Sequence, residues 1–332
     1  MRILITGGAG FIGSNFIKYI FKKHPDWQVV NLDKLTYAGN LDNLKDVSQN
    51  PNYKFVKGDI ASAQDVESAI GEGVDKIINY AAETHVDRSI MAPDAFIKTD
   101  IFGTYTLLEA VKKHNVAQYI QISTDEVFGS IKEGSFDEKS PFMPNSPYSA
   151  SKAGADHLCR AYFKTYNLPV IVTHSCNVFG LNAHPEKMIP LFITNLLENK
   201  KVPVYGQGQQ TREWIFAQDH CAAIEIIMEK GNPGEVYNIG TGSEKTNMEI
   251  TRFILQELGF DEKMIEYVKD RPGHDWRYAI NSQKLRGLGW QPQVSFKDGL
   301  CRTIKWYQEN RDWWQPLKSG AYLEYYKKQY GK

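Results

Sequence analysis

The sequence predicts an α/β fold: a doubly wound, mostly parallel sheet with a smaller, partly interwoven C-terminal lobe. Three observations predict it. Short apolar runs alternate with longer helical patterns through the first half of the chain, as they do in successive βαβ units. The first apolar run leads directly into a glycine-rich turn that opens a helix. A length of 332 residues exceeds the needs of one minimal core and allows a second lobe.

The elements of the first half follow in order along the chain. Strands are predicted at Arg2–Thr6, Gln28–Asp33, Tyr53–Lys57, Val74–Tyr80, Ala117–Ser123 and Pro169–Ser175. Helices are predicted at Phe11–Lys22, from about Ala92 to His114, and at Pro147–Tyr166. Because crossovers between parallel strands are right-handed, these helices are expected to cover both faces of one sheet.

Beyond Asn177 the alternation loosens. Extended pieces are predicted at Val202–Tyr205, Arg212–Phe216 and Glu235–Ile239, and helices near Met188–Glu198, Gln218–Glu229, Asn247–Leu258 and Phe296–Glu309. We expect residues 1–180 to form the cofactor-binding domain, with segments near 211–241 rejoining it, and residues 181–332 to form mainly the substrate lobe. The lack of a low-complexity linker favours a shared cleft between the two.

The glycine-rich turn predicts a dinucleotide site. Gly7, Gly10 and Gly13 are spaced GxxGxxG between a strand and a helix, where they allow a tight turn, approach of a pyrophosphate and close helix packing. Asp33 ends the next strand, 20 residues after Gly13. A carboxylate there accepts hydrogen bonds from the adenosine ribose and repels a 2′-phosphate, so a Rossmann sheet that binds NAD is favoured over one that binds NADP. Lys34 beside it would soften that repulsion.

A tyrosine and a lysine begin the helix after Pro147. Tyr148 and Lys152 are four residues apart and therefore share a helix face. We expect the ammonium to lower the pKa of the Tyr148 phenol, which would then deprotonate a sugar hydroxyl during its oxidation. Thr124 follows the fifth strand and offers a hydroxyl to the reacting oxygen.

Two adjacent acids, Asp125 and Glu126, follow that threonine. Simple hydride transfer needs no such pair, but a dehydration does. A ketone formed at C4 of a hexose acidifies the C5 hydrogen, so a base can remove that proton while an acid protonates the leaving C6 hydroxyl. Return of the stored hydride to C6 leaves the cofactor as it began. As a capping turn the pair would have no chemical role.

These motifs resemble the extended short-chain dehydrogenase/reductase family, and within it the dTDP-glucose 4,6-dehydratases. Ser123–Gly129 is similar to that family's STDEVYG segment, and Tyr80–Ile90 to its LAAESHVDRSI segment. The resemblance implies that Asp125 is the acid and Glu126 the C5 base. It assigns Thr124 to the C4 oxygen and Tyr148, with Lys152, to the C4 hydroxyl. Nucleotide-sugar 4-epimerases lack the acid pair, and GDP-mannose dehydratases carry a Ser-Glu version of it.

The resemblance also implies the binding residues. Those expected around the NAD cofactor are Gly7, Gly10, Phe11, Ile12, Gly13, Asp33, Lys34, Leu35, Thr36, Asp59, Ile60, Tyr80, Ala81, Ala82, Thr84, Thr99, Tyr148, Lys152 and Val178. Those expected around the nucleotide sugar are Thr84, Thr124, Asn177, Lys187, Pro203, Val204, Tyr205, Arg212, Asn247, Asp270, Arg271 and His274. Arg212 is expected to clamp a phosphate with its guanidinium. The chain departs from the family pattern RPGHDRRYAID at Trp276 and Asn281.

Composition excludes several other classes. Lys+Arg and Asp+Glu are both 39, so no net positive charge favours nucleic acid. The cysteines Cys159, Cys176, Cys221 and Cys301 form no CxxC pair, which favours free thiols over a disulfide framework or a metal site. No secretory leader or membrane segment is evident, so a cytoplasmic enzyme is expected.

We therefore expect an NAD-dependent dehydratase, a hydro-lyase that converts dTDP-glucose to dTDP-4-keto-6-deoxyglucose for synthesis of rhamnose or another deoxysugar. The alternatives are the same reaction on UDP-glucose, a nucleotide-sugar 4-epimerase, and a non-enzymatic NAD-binding regulator. A pure regulator needs neither the Tyr148/Lys152 pair nor the acid pair. The resemblance further implies a homodimer formed through the helices near 92–114 and 147–166.

Overall fold

Twelve strands and thirteen α-helices are present in the computed structural model, which describes residues 1–331. The strands are β1 Arg2–Thr6, β2 Gln28–Asp33, β3 Tyr53–Lys57, β4 Lys76–Asn79, β5 Gln118–Thr124, β6 Val170–Ser175, β7 Asn177–Phe179, β8 Val202–Tyr205, β9 Thr211–Phe216, β10 Val236–Ile239, β11 Glu244–Thr246 and β12 Ile265–Val268.

The helices cover both faces of the main sheet and most of the C-terminal part. They are α1 Phe11–Lys23, α2 Ala63–Ile70, α3 Val86–Met91, α4 Asp94–Phe96, α5 Gly103–His114, α6 Pro147–Tyr166, α7 Met188–Leu197, α8 Ala217–Lys230, α9 Asn247–Leu258, α10 Gln283–Gly287, α11 Phe296–Glu309, α12 Arg311–Trp314 and α13 Ala321–Tyr330. Short 3₁₀ turns lie at Leu41–Leu44, Asp125–Phe128, Glu262–Met264 and Pro316–Lys318.

The main sheet has seven strands in the order β10-β6-β5-β4-β1-β2-β3, and every pair in it is parallel. The chain starts at β1, winds outward to β3, and then returns through β4 to the other side. The order therefore reverses between β1 and β4, and ligands bind at such a switch point, beyond the carboxyl ends of the strands. This architecture confirms the predicted doubly wound fold.

Two smaller sheets lie in the C-terminal part. One has the order β11-β9-β7 and the other pairs β12 with β8. A separate apolar core fills this part, with Leu191, Trp214, Ile250 and Trp314 among its buried members. Segments near 211–241 were expected to rejoin the cofactor-binding domain. Of these, β10 lies in the main sheet and α8 contributes Ile224 to its core, whereas β9 lies in the sheet β11-β9-β7.

The helix expected from Ala92 to His114 begins later and is not uniform. Ala92 is extended because it precedes Pro93, and the helix starts at Asp94. Residues Ile97–Phe102 then form a π-helical stretch. Asp100 lies in this wide turn, buried, where it accepts a 2.6 Å hydrogen bond from Ser151 Oγ of α6. Periodicity alone does not register such a widened turn.

No helix within residues 1–331 combines the length and the apolar character that a membrane span requires.

Candidate active site

A cavity of about 430 Å³ opens where the carboxyl ends of the main strands face the C-terminal lobe. Nearly every residue that the sequence placed in a site lines it. They are Gly7, Gly10, Phe11, Ile12, Gly13, Asp33, Lys34, Thr36, Asp59, Ile60, Tyr80, Ala81, Ala82, Thr84, Thr99, Thr124, Asp125, Glu126, Tyr148, Lys152, Asn177, Val178, Lys187, Pro203, Val204, Tyr205, Arg212, Asn247, Arg271 and His274.

Two expected residues, Leu35 and Asp270, do not line the cavity. The backbone N–H of Leu35 instead donates to Asp33 Oδ1 at 2.8 Å. Asp270 accepts from Gln210 Nε2 at 2.7 Å and hydrogen-bonds His274 Nδ1 at 2.6 Å. Neither residue lines the cavity, but each hydrogen-bonds a residue that does: Leu35 bonds Asp33, and Asp270 bonds His274.

The glycine turn after β1 admits no side chain at Gly7 or Gly13, where backbone atoms lie too close. Gly7 has φ +67°, and a Cβ there would lie 2.6 Å from the backbone nitrogen of Ala81. A Cβ on Gly13 would lie 2.4 Å from the carbonyl oxygen of Gly7. Gly10 caps α1 without a side chain, so the first N–H groups of the helix remain available to an anion.

Asp33 lies at the end of β2 beside this turn. Its carboxylate accepts hydrogen bonds from the backbone nitrogens of Ala9 at 2.9 Å and Leu35 at 2.8 Å. Burial raises its pKa, and these two hydrogen bonds oppose that rise. Lys34 turns away to pair with Asp59 at 2.7 Å, so its charge is partly neutralised rather than free to attract a 2′-phosphate.

A dinucleotide fits this edge. The glycine cradle leaves room for a pyrophosphate against free N–H groups, and the fixed Asp33 carboxylate faces the place of the adenosine ribose. The residues that would hold NAD are therefore those of the turn, Asp33 and the Asp59–Ile60 corner.

Replacing Asp33 with asparagine is expected to weaken NAD binding by about tenfold, because a charged acceptor for the ribose hydroxyls is lost. Calorimetric titration of the cofactor-free protein measures this. Asp26→Asn, at an exposed position, is the matched control and should bind NAD normally. Equal NAD affinity of Asp33→Asn and the unmodified protein would remove Asp33 from this role.

The first turn of α6 carries Tyr148. Ser146 and Ser149 form a capping box, and Pro147 occupies the first helical position, which starts the helix where the sequence predicted. The ring of Tyr148 packs edge-on against Phe96 at 6.3 Å. Lys152 is buried one turn later, and its Nζ donates to the carbonyl oxygen of Ile122 at 2.7 Å.

The expected lowering of the pKa of Tyr148 was wrong, since the residues around the phenol raise that pKa. Burial raises its pKa well above the usual range, and the charges of Glu126 and Asp100 act in the same direction. Only the hydrogen bond with Thr124 favours the phenolate among the largest influences. The positive charge of an oxidised nicotinamide would act in that same favourable direction.

The acid pair lies in the 3₁₀ turn at the end of β5. Thr124 caps this turn, since its Oγ1 accepts from the Glu126 nitrogen at 3.3 Å. The same hydroxyl is 3.3 Å from Asp125 Oδ1. Asp125 is 2% exposed and its Oδ2 has no hydrogen-bond partner. An unpartnered buried oxygen at a cavity wall is available to a ligand.

The surroundings of Asp125 and Glu126 give the two carboxyls different proton affinities. Burial raises the pKa of Asp125 well above its usual range, and the charges of Glu126 and Glu213 add to this effect. Burial also raises the pKa of Glu126, but the charges of Arg271, Arg212 and Lys187 oppose it. Asp125 therefore holds its proton more firmly, which suits an acid, while Glu126 ionises first, which suits a base.

Three cations surround the acids, and they differ in their free donors. Arg271 donates from Nη1 to Asp87 at 3.2 Å, while its buried Nε has no partner. Lys187 donates to the carbonyl oxygen of Thr84 at 2.7 Å. Arg212 donates from both terminal nitrogens to backbone carbonyls, including that of Asp275 at 2.8 Å. A guanidinium has five N–H donors, and these contacts use only part of those of Arg212, so its expected role at a phosphate stays a prediction. The unpartnered Nε of Arg271 is a further donor.

Several cavity residues were not found from the sequence: Glu83, His85, Asp87, Ser175, His184, Glu186, Met188, Trp214, His220 and Tyr330. Glu186 is the most notable. Burial acts to raise its pKa, but the charges of His85, His184 and Arg88 outweigh burial and lower it. Its Oε1 is buried without a hydrogen-bond partner. In the sequence, only its position directly before Lys187 indicated that Glu186 lines the site.

Tyr278 lies behind Glu126 and was also missed. Its hydroxyl is 3.5 Å from Glu126 Oε2 and donates to Asp275 Oδ2. The guanidinium of Arg212 stacks on its ring at 4.2 Å. Nearby Trp276, a departure from the family pattern, is 59% exposed, so its side chain lies on the surface.

One group of potential metal ligands lies elsewhere, although sequence spacing gave no sign of it. His24, Glu225 and Glu229 have ligand atoms within 4.8 Å of one another. His24 and Glu225 already pair at 2.7 Å, so their closeness is explained without a metal.

Comparison with known proteins gives a consistent result. The family model described as GDP-mannose 4,6 dehydratase matches residues 4–303. A dTDP-glucose 4,6-dehydratase of Streptomyces niveus is 48% identical over 324 residues, covering 96% of each chain. A dTDP-glucose 4,6-dehydratase of Streptomyces venezuelae, crystallised with NAD, superimposes with a TM-score of 0.93 at 49% identity, covering 96% of this chain and all of that one. Its counterpart from Bacillus anthracis, also with NAD, gives 0.90 at 50%, with the same coverage.

Proposed function

The chain belongs to the dTDP-glucose 4,6-dehydratase family, and from this premise we propose that it converts dTDP-glucose to dTDP-4-keto-6-deoxyglucose by removing water. The observation that carries the proposal is the acid pair Asp125 and Glu126, adjacent in sequence but separated in proton affinity, at the wall of a cavity that also holds Tyr148. Solved relatives contain NAD, and NAD is the cofactor of this family.

The residues around sugar C4 bind and orient its oxygen. Bound NAD supplies the reversible two-electron oxidation of C4. Tyr148 takes the proton of the C4 hydroxyl, and Thr124, which lines the same cavity, holds the resulting carbonyl oxygen. Burial of both side chains excludes water from this atom.

The acid pair acts at the next two carbons. Glu126 removes the C5 proton that the C4 carbonyl has acidified, and Asp125 gives its proton to the leaving C6 hydroxyl. Arg271, Arg212 and Lys187 lower the pKa of Glu126 from the value that burial alone would give. These cations favour the ionised form of the base, while burial and the charges of Glu126 and Glu213 keep the pKa of Asp125 raised.

The diphosphate end is placed by the C-terminal lobe. We propose that the unpartnered Nε of Arg271 donates to a phosphate oxygen, with Lys187, Asn177 and Asn247 around the same region of the cavity. Pro203, Val204 and Tyr205 follow on β8 and flank the nucleobase. Asp270 contributes by orienting His274.

The experiment is product identification by NMR after incubation with dTDP-, UDP- and GDP-glucose in parallel. The proposal predicts a 4-keto-6-deoxy sugar with dTDP-glucose as the preferred substrate. A 4-epimer as the product would contradict it and would favour the epimerase alternative. If the protein preferred UDP-glucose, the proposed reaction would stand and only the nucleotide of the proposed substrate would change.

The elimination step is expected to show a bell-shaped pH profile in single-turnover reactions. Activity falls as the pH falls through the raised pKa of Glu126, because the base is then protonated. It falls again as the pH rises through the still higher pKa of Asp125, because the acid has then lost its proton. An acid limb at the pKa of an ordinary exposed glutamate would contradict the assignment. Because the two carboxyls interact, the pKa values read from the two limbs of the profile belong to the pair rather than to either residue alone.

We further propose a homodimer formed through the helical segments near 92–114 and 147–166, as the family resemblance implies. Exposed large apolar side chains in these segments support it: Phe102 and Tyr166 are each 51% exposed and Ile97 is 49% exposed. Sedimentation analysis that gave only the monomer mass would contradict the proposal. We retain the division into a cofactor domain at 1–180 and a mainly substrate lobe at 181–332 as a description of function.

A further inference from the structure

The C-terminal helix α13 is anchored on two sides, although the proposed reaction assigns it no role. On one side Tyr322 is buried in the core of the C-terminal lobe. Tyr326 accepts a 3.3 Å hydrogen bond from Asn195 Nδ2 of α7. Just before the helix, Lys318 donates to Asn195 and Glu198, at 2.9 Å in each case. The helix is therefore fixed to the lobe that carries the substrate end of the cavity.

On its other side α13 contacts α3, which carries cavity residues. The Tyr325 hydroxyl donates to Asp87 Oδ2 at 3.3 Å, and its ring lies under the Arg88 guanidinium at 4.6 Å. The other face of Arg88 covers Tyr37 at 3.9 Å, and its Nη2 pairs with Glu186 at 3.0 Å. The ring of Tyr325 thus supports Asp87 directly and Glu186 through Arg88, and both acids line the cavity.

The last turn of α13 reaches the predicted nucleobase position. Gln329 Nε2 donates to the Tyr205 hydroxyl at 2.5 Å, and that hydroxyl donates to Asp87 at 3.0 Å. The rings of Tyr330 and Tyr205 are 6.0 Å apart and tilted by 33°. His274 closes the other side of Tyr205 edge-on, at 6.0 Å. Tyr330 lines the cavity, and within the described part of α13 no other residue does.

We propose that Tyr330 forms a second aromatic wall of the nucleobase subsite, beside Tyr205, and thereby sets how tightly the nucleotide is held. This inference rests on the proposed function only in taking the ligand to be a pyrimidine nucleotide sugar. An aromatic face attracts any base by stacking, whereas the polar edges supply discrimination. Gln329 and Asp87 hold Tyr205 from behind, so the two rings meet the base in a fixed arrangement.

Contacts at the nucleobase lie far from the reacting carbons of the sugar. They are made equally in the bound substrate and in the transition state, so they affect binding and not the chemical step. Loss of the Tyr330 ring should therefore raise KM and the Kd of thymidine diphosphate together and leave kcat unchanged. A role in chemistry or in overall folding would instead change kcat or the melting temperature.

Calorimetry with thymidine diphosphate and steady-state kinetics with dTDP-glucose test this on the full-length protein. Tyr330→Ala is expected to raise Kd and KM by roughly tenfold with kcat unchanged, and Tyr330→Phe, which keeps the ring, to bind normally. Leu323→Ala is the matched control, at a position on the same helix that is 45% exposed, and should match the unmodified protein in both measurements.

The outcomes separate this inference from the proposed function. If the unmodified protein turns over dTDP-glucose and Tyr330→Ala binds thymidine diphosphate as tightly, the nucleobase wall is overturned and the proposed function stands. If the unmodified protein neither binds thymidine diphosphate nor converts dTDP-glucose, the proposed function itself fails. A lower kcat for Tyr330→Ala with unchanged Kd would also overturn the inference.

Discussion

Replacing Glu126 with glutamine is expected to lower formation of the 4-keto-6-deoxy product by about a thousandfold, because a positioned base contributes two to four orders of magnitude to proton transfer. Oxidation at C4 does not require this carboxylate. The variant should therefore stop at the 4-ketoglucose nucleotide, whose C5 keeps its original hydrogen. Mass spectrometry of acid-quenched reactions in heavy water measures both the accumulated species and its label.

Glu133→Gln is the matched control. Glu133 is exposed in the loop that follows the acid pair, so the same change of charge there should leave turnover unchanged. Glutamine is close in shape to glutamate, and the half-buried carboxyl of Glu126 has a raised pKa, so the fold should not suffer from the substitution. Full turnover by Glu126→Gln would remove this residue from proton abstraction.

Replacing Tyr148 with phenylalanine is expected to block the reaction one step earlier, with a loss also of about a thousandfold. The ring, with its packing against Phe96, remains, while the group that takes the C4 proton is gone. No 4-ketoglucose nucleotide should accumulate, and the same quenched-reaction assay should find unreacted substrate. The two variants therefore differ in the species that they leave behind, and this difference separates the two roles.

Tyr267→Phe is the comparison, since Tyr267 is 59% exposed and does not line the cavity. It should retain full activity. If Tyr148→Phe instead accumulated the 4-keto species, Tyr148 would not be the C4 base.

Local patterns were enough to predict most of the main sheet. Apolar runs identified the central strands of the main sheet because a parallel strand buried on both faces is apolar along much of its length, whereas the edge strand β3 alternates lysines with apolar residues. Pro147 marked the start of α6, and the structure adds capping boxes at Ser146 for α6 and at Thr246 for α9. By contrast, β7 and β11 have only three residues, too few for periodicity to register.

The same distinction explains the site. Gly7, Asp33, Asp125, Glu126 and Tyr148 occur in local motifs, so their shared position follows from the strand order. Other members depend on contacts between distant segments. Tyr278 reaches Glu126 across 152 positions of sequence, and Tyr325 reaches Asp87 across 238.

Hydrogen-bond partners were also beyond reach of the sequence. Arg212 was expected to hold a phosphate because guanidinium groups suit that task, yet its terminal nitrogens meet the carbonyls of residues 275 and 276. These contacts leave part of the guanidinium free, so phosphate binding by Arg212 stays a prediction, and the unpartnered Nε of Arg271 is a further donor. Lys152 likewise meets the Ile122 carbonyl, a choice set by how α6 packs on β5.

The central claim is that the adjacent carboxylates make this site eliminate water rather than only exchange hydrogen at C4. Turnover of dTDP-glucose in heavy water, followed by NMR of the product, tests it most directly. A 4-keto-6-deoxy product carrying one solvent deuterium at C5 is predicted, since Glu126 removes the C5 proton and solvent replaces it. A sugar that is altered only at C4, with its C5 hydrogen retained and its C6 hydroxyl intact, would contradict the claim.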